Sequence, residues 1–143
     1  MANIANTAVE RARAPPMLEL KGVHKAYTTG ARTTEVLGGI DLSIAAGEFV
    51  AIVGFSGSGK TTLISLLAGL ERPTAGTVSF EGAEIVGPSP ERGIVFQNYS
   101  LMPWLSARGN VALAVDAVRR DRSRSERSAI IDRYLEMVGL AHR

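Results

Sequence analysis

A glycine- and serine-rich loop separates two apolar segments near the centre of the chain. Before it runs Phe49–Val53, FVAIV, apolar at every position. After it Leu63, Leu66, Leu67 and Leu70 recur at helical spacing. An unbroken apolar run predicts a strand covered on both faces, typically a central parallel one. The loop itself, Gly54–Thr61, reads GFSGSGKT and fits G-x-x-x-x-G-K-[ST]. A strand, this loop and a helix in succession form a unit that belongs in an α/β architecture. Gly69 lies near the end of the leucine stripe, and Pro73 prevents continuation.

Each residue type in the loop has a physical reason. Backbone N–H groups that turn inward around phosphate oxygens need conformations and close approach that glycine permits, which Gly54, Gly57 and Gly59 supply. Ser56 and Ser58 complete the cradle. The helix that follows directs unpaired N–H groups and its positive dipole end at the anion. Lys60 reaches the β- and γ-phosphates, the Thr61 hydroxyl is placed to ligate Mg²⁺, and Thr62 is within reach of the α-phosphate. At ordinary glycine usage the bare pattern arises by chance in roughly one chain of this length in two hundred. The flanking strand and helix make chance less plausible still. The motif alone leaves ATPases, GTPases and kinases open.

Around this unit the pattern alternates between strand and turn. Leu18 and Leu20 alternate with Glu19 and Lys21, the period of a half-buried strand. TTGART reads as a turn, and Ile40, Leu42 and Ile44 share one face of a second strand. AAGE is a tight turn around Gly47. Thr77–Phe80 and Ala83–Val86 form a strand pair with Glu81-Gly82 between them. Ile94–Phe96 is a further short apolar strand that ends at Gln97. The remainder is helical: Val111, Ala114, Val115 and Val118 share one face. Ser123 and Glu126 have the spacing of a capping box. Ile130, Ile131, Tyr134, Leu135 and Val138 form a stripe that Gly139 closes. The organisation expected is a disordered tail over 1–16, a partial nucleotide-binding α/β core over 17–98, and the loop after Gln97 with the start of a helical subdomain over 99–143.

Composition excludes several classes. The chain has 143 residues, enough for one domain with a substantial core. It contains no cysteine, which rules out a disulfide scaffold and a cysteine-ligated metal. No apolar run approaches the roughly 18 residues of a membrane span. MANIANTAVERARAPP lacks a continuous apolar stretch and makes a poor signal peptide; a weak transit-peptide reading survives beside that of a mobile tail. The net charge is only +2, and the arginines of 119–127 have no interleaved aromatics, so the run reads as a solvated connection rather than a nucleic-acid surface.

Several motifs in order extend the argument beyond the loop. VHKAY, GGIDLSIAAGEFVAIVGFSGSGKTTLISLLAGLERPTAGTVSFEG and GIVFQNYSLMPWLSARGNVALAV together resemble the ATP-binding subunit of ABC transporters, from about Leu18 to Arg143. The wording FQNYSLMPWLSARGNVALAV is most similar to the branch that serves nitrate, sulfonate, taurine and cyanate importers, nitrate-type subunits above all. The resemblance implies a P-loop NTPase core with an N-terminal antiparallel β subdomain and the start of a helical subdomain. It implies ATP and Mg²⁺ as cofactors. Tyr27 matches the aromatic residue on which adenine stacks, the alternative being a tyrosine packed at a strand end. Gln97 matches the glutamine that joins the metal and the attacking water, the alternative being a surface amide. Lys60 and Gln97 are then the groups at the reaction centre. Tyr99, Leu101, Met102 and Trp104 fall where the family meets its membrane subunits, or else fold inward against the helices. The family works as a pair of ATPase subunits docked on permease subunits at the cytoplasmic face of the membrane.

The resemblance also implies an LSGGQ-like signature, a strand ending in Asp-Glu and a switch histidine, none of which occurs in these residues; His24 and His142 stand in other contexts. The C-terminal half of the family pattern is therefore missing from the sequence. The expectation is a chain that holds ATP weakly, with no appreciable turnover, and whose sheet has unpaired edges. A self-sufficient small kinase would need a catalytic carboxylate or lid arginines within these residues, and the only late aspartates, Asp116, Asp121 and Asp132, stand in helical or arginine-rich polar contexts. A stand-alone regulatory module would use the loop for binding only.

Overall fold

A computed structural model describes residues 15–141, so most of the expected N-terminal tail, and His142, lie outside the described residues. The chain divides into two compact units, one up to Gly93 and one from Ile94 onward.

The first unit is built on a long ribbon. β1 (Leu18–Thr29) and β2 (Arg32–Ile44) pair antiparallel from Leu18 opposite Ile44 to Thr29 opposite Arg32, joined by a two-residue turn. The pairing slips between Leu20 and Val23 and again around Lys25, irregularities of the kind that twist a ribbon. β3 (Ala75–Phe80) pairs on the other side of β1, and the short β4 (Ala83–Glu84) follows it. The sheet is four-stranded with order β2-β1-β3-β4, antiparallel throughout. Glu81 and Gly82 both take positive φ, the mirror-image turn whose twist matches a two-residue hairpin.

α1 (Lys60–Ala68) packs Leu63, Leu66 and Leu67 against Leu20, Val23, Leu37, Val78 and Ile85 of the sheet and its margin. Leu66, Val23 and Leu20 are essentially inaccessible. Each such side chain contributes about 1.5–3 kcal/mol on burial, so the helix is fixed to the sheet chiefly by its leucines. Gly69 caps the helix in the left-handed conformation, and the Leu70 N–H bonds back to the Ser65 carbonyl. That turn carries Leu70 off the leucine stripe, leaving it exposed, contrary to the periodicity.

Two expected strands do not form. Phe49–Val53 has no regular secondary structure and no ladder partners, Phe49 and Val53 are exposed, and only Ile52 of this run packs on the core. Ile94–Phe96 is likewise unpaired, with Val95 fully exposed. The physical reason is shared: a parallel strand exists only through its neighbours, and the four strands of the described residues pair among themselves. β4 also ends at Glu84 rather than Val86, although the Ile85 N–H still donates to the Val78 carbonyl of β3 at 2.8 Å.

The second unit is a helix pair. α2 (Ala107–Val118) starts at Ser106, whose hydroxyl accepts the Gly109 N–H. α3 (Arg124–Met137) starts with the expected capping box between Ser123 and Glu126. Val115, Ile131 and Leu135 form the buried centre, whereas Ala114, Val118, Tyr134 and Val138 of the predicted stripes remain exposed. Gly139, at positive φ, follows α3 as anticipated.

Candidate functional site

The loop before α1 is shaped by close approach. Gly59 is the residue at the helix start, with φ +88°, and it makes no side-chain cap. A Cβ on Gly59 would stand 2.8 Å from a Leu37 methyl and 3.0 Å from the Val36 carbonyl oxygen. The loop is thus pressed onto β2 at its end, where only glycine fits. Gly57 also has a left-handed backbone, φ +79°, but faces open space. Ser58 N–H donates to the Phe55 carbonyl at 3.2 Å, closing the tip into a turn.

Lys60 ties this turn together. Its Nζ donates to the carbonyl oxygens of Gly54 at 2.8 Å and Phe55 at 2.7 Å, and lies 3.4 Å from the Ser58 hydroxyl. The ammonium therefore sits against the backbone of its own loop, 5 and 6 residues back. Phe55, Ser56, Gly57, Ser58 and Thr61 are exposed; Lys60 and Thr62 are half-buried. With no side chain capping α1, the first-turn N–H groups and a lysine ammonium gather at one exposed loop. Such a concentration of donors suits a multiply charged anion.

Tyr27 belongs to a second cluster in the same unit. Its hydroxyl donates to Glu71 Oε2 at 2.7 Å, and Lys25 Nζ meets the same oxygen at 2.9 Å. Lys25 also donates to the Arg72 carbonyl at 2.9 Å, and its ammonium lies 4.9 Å from the centre of the Tyr27 ring. The Lys25 bond, then that of the Tyr27 hydroxyl, holds the Glu71 carboxyl below the usual glutamate range. The ring itself is partly exposed. Lys25 and Glu71 escaped the reading of the sequence. Lys25 is recognisable two residues from Tyr27 on one strand, but nothing local links either to Glu71.

Gln97 is exposed at a bend in the second unit. Tyr99, Leu101 and Trp104 are exposed and Met102 is half-buried, so the apolar cluster does not fold inward as a whole. The three late aspartates are engaged: Asp116 with Arg127 at 2.7 Å, Asp121 with Arg122 at 3.3 Å, and Asp132 with Arg108. Among the described residues no three His, Cys, Asp or Glu side chains group to hold a metal ion. A magnesium site in which phosphates and water provide most oxygens needs only one or two from protein, and the exposed Thr61 hydroxyl fits that requirement.

Comparison with known proteins identifies the family. Residues 37–143 match the protein family described as ABC transporter. The bicarbonate transport ATP-binding protein CmpC of Synechococcus elongatus is 50% identical over 124 residues, 86% of this chain and 19% of that protein. The nitrate import ATP-binding protein NrtD of the same organism is 50% identical over 101 residues, 71% of this chain and 37% of that protein. Among solved structures, a dimeric post-hydrolysis state of the ATP-binding cassette MJ0796 bound to ADP and Pi superposes with a TM-score of 0.72 at 34% identity. That match covers 85% of this chain and 56% of the cassette, so the chain spans little more than half of its structural relative.

Proposed function

The chain belongs to the ABC transporter family, and on that premise we propose that it binds MgATP as the energy-coupling part of an importer for a small inorganic anion, nitrate or bicarbonate. The observation that carries this reading is the exposed loop Gly54–Thr61, with Lys60 drawn into it and α1 uncapped behind it. The identity with bicarbonate and nitrate ATP-binding proteins supports the anion class.

The steps follow from the residues. Lys60 exchanges the Gly54 and Phe55 carbonyls for the β- and γ-phosphate oxygens, a gain because its new partners are charged. The N–H groups of Ser56 to Thr61 and the start of α1 surround the same oxygens. Thr61 offers its hydroxyl to magnesium and Thr62 its own to the α-phosphate. Bound magnesium supplies charge neutralisation across the phosphates. Tyr27 gives the base a face on which to stack. By its resemblance to the family pattern alone, Gln97 is assigned to the metal and the attacking water. Residues 17–98 act as the nucleotide-binding core and 99–143 as the start of a helical subdomain, with permease subunits and a second ATPase subunit as partners at the cytoplasmic face. The exposed Tyr99, Leu101 and Trp104 support a permease contact there.

Titration of the full chain with MgATP tests the reading. Lys60→Ala is expected to weaken binding at least about tenfold, the scale of a lost hydrogen bond to a charged group. Equal affinity in the two proteins sinks the proposal. Disruption of the gene should lower uptake of labelled nitrate or bicarbonate, and unchanged uptake of both overturns the anion assignment.

A further inference from the structure

We propose that Lys25 and Glu71 are positioning residues that fix the Tyr27 ring as a one-sided platform for the base of the bound nucleotide. The inference rests on the nucleotide-binding reading above and adds two residues to it.

Three observations converge. The Tyr27 hydroxyl and the Lys25 ammonium share one oxygen of Glu71, at 2.7 and 2.9 Å. The same ammonium lies over the ring at 4.9 Å, so one face is taken by the cation. Lys25 is the most enclosed member, with 15% of its side chain accessible against 34% for Glu71, and the Arg72 carbonyl holds it from a further side. Between them these contacts hold both ends of the tyrosine: the ring by the cation, the hydroxyl by the carboxylate. A base can stack only on the opposite face.

The cluster also lies beside the phosphate loop. Lys25 pairs with Leu37, the residue against which Gly59 is pressed, and Tyr27 pairs with Thr34. Thr34 is about 10 Å along β2 from Leu37. The ribbon thus fixes the ring relative to the loop, and the clamp fixes the ring's own rotation. A platform that is already ordered avoids the ordering cost of stacking, which a free aromatic side chain must meet on binding. Tyrosine stacking carries no donor–acceptor code, so the device raises affinity for a base without choosing it.

Binding of MgATP and of magnesium tripolyphosphate to the full chain separates the base from the phosphates. Lys25→Met and Glu71→Ala are each expected to weaken MgATP about three- to tenfold. Both should leave tripolyphosphate unchanged, and Lys25→Arg should restore MgATP. In a Tyr27→Ala background neither should have a further effect, because each acts through the ring. Tyr27→Phe removes only the hydroxyl bond and should show the same selective loss, which keeps the test open if Glu71→Ala does not fold. Unchanged MgATP affinity overturns the inference, as does equal loss of both ligands in folded variants or additivity with Tyr27→Ala. Tripolyphosphate and MgATP both failing to bind the unsubstituted chain overturns the nucleotide reading, and the inference with it.

Discussion

Gly59 and Gly57 show how two identical residues in one loop carry different constraints. Both have left-handed backbones, which an alanine adopts at a cost of about 1–2 kcal/mol. A methyl at 57 meets nothing within 4 Å, whereas one at 59 meets the Leu37 methyl and, less forgivingly, the Val36 backbone carbonyl. Gly59→Ala therefore adds overpacking to strain. We expect about 2–4 kcal/mol of destabilisation at 59 against about 1–2 at 57, read as the shift of the urea midpoint. Equal shifts would mean that the loop can lift from β2. At this scale the glycine pattern of Gly54–Thr61 was legible in the sequence, whereas the approach of Val36 and Leu37 that makes Gly59 the stricter position was not. The sequence was also silent about the tyrosine clamp, because Tyr27 and Glu71 are 44 residues apart and meet only once β1 and the end of α1 are in place.

Elements differ in the same way. α3 begins where Ser123 and Glu126 say it should, since a capping box is closed by groups three residues apart. The Glu126 N–H donates to the Ser123 hydroxyl at 3.3 Å, and the Ser123 N–H donates to Glu126 Oε2 at 2.8 Å. Phe49–Val53 has an equally plain local pattern and forms no strand, because a strand is a relation between segments rather than a property of one. The cap gives a prediction. The Ser123 hydroxyl, then its N–H, and more weakly Arg122, hold the Glu126 carboxyl below the ordinary glutamate range. Since the folded pKa is the lower one, this stabilisation is fully present above the unfolded value and is lost as pH falls through the folded value. Acidification through that window should reduce helicity by circular dichroism. Ser123→Ala should remove about 1 kcal/mol at neutral pH, the usual worth of such a cap, and flatten the acid step. An unaltered acid profile in Ser123→Ala would show that Glu126 titrates without reference to the cap.

At the scale of the whole molecule the apolar residues fall into two populations. Leucines and valines of the β1–β2 ribbon and α1 are buried together, while Phe49, Val53, Phe55 and Val95 are between 88% and 99% accessible. The exposed group lies in and around the two segments that read as buried strands. Among the described residues neither segment forms a strand, and Phe49, Val53 and Val95 stay exposed, contrary to that expectation. A soluble surface seldom carries so dense an apolar run, because each such side chain gains roughly 1.5–3 kcal/mol when covered. The 143-residue chain is therefore expected to self-associate as its concentration rises and to bind a hydrophobic dye, and to do both more weakly when Phe49 and Val53 are replaced by lysine. Neither residue joins the buried core, so the urea midpoint of that double variant should stay within about 0.5 kcal/mol of the parent. Sedimentation velocity over a concentration series measures the first effect directly. A parent chain that sediments as a monomer throughout and leaves the dye dark would show that these side chains are covered in solution. In that event Phe49–Val53 would have found a ladder partner after all.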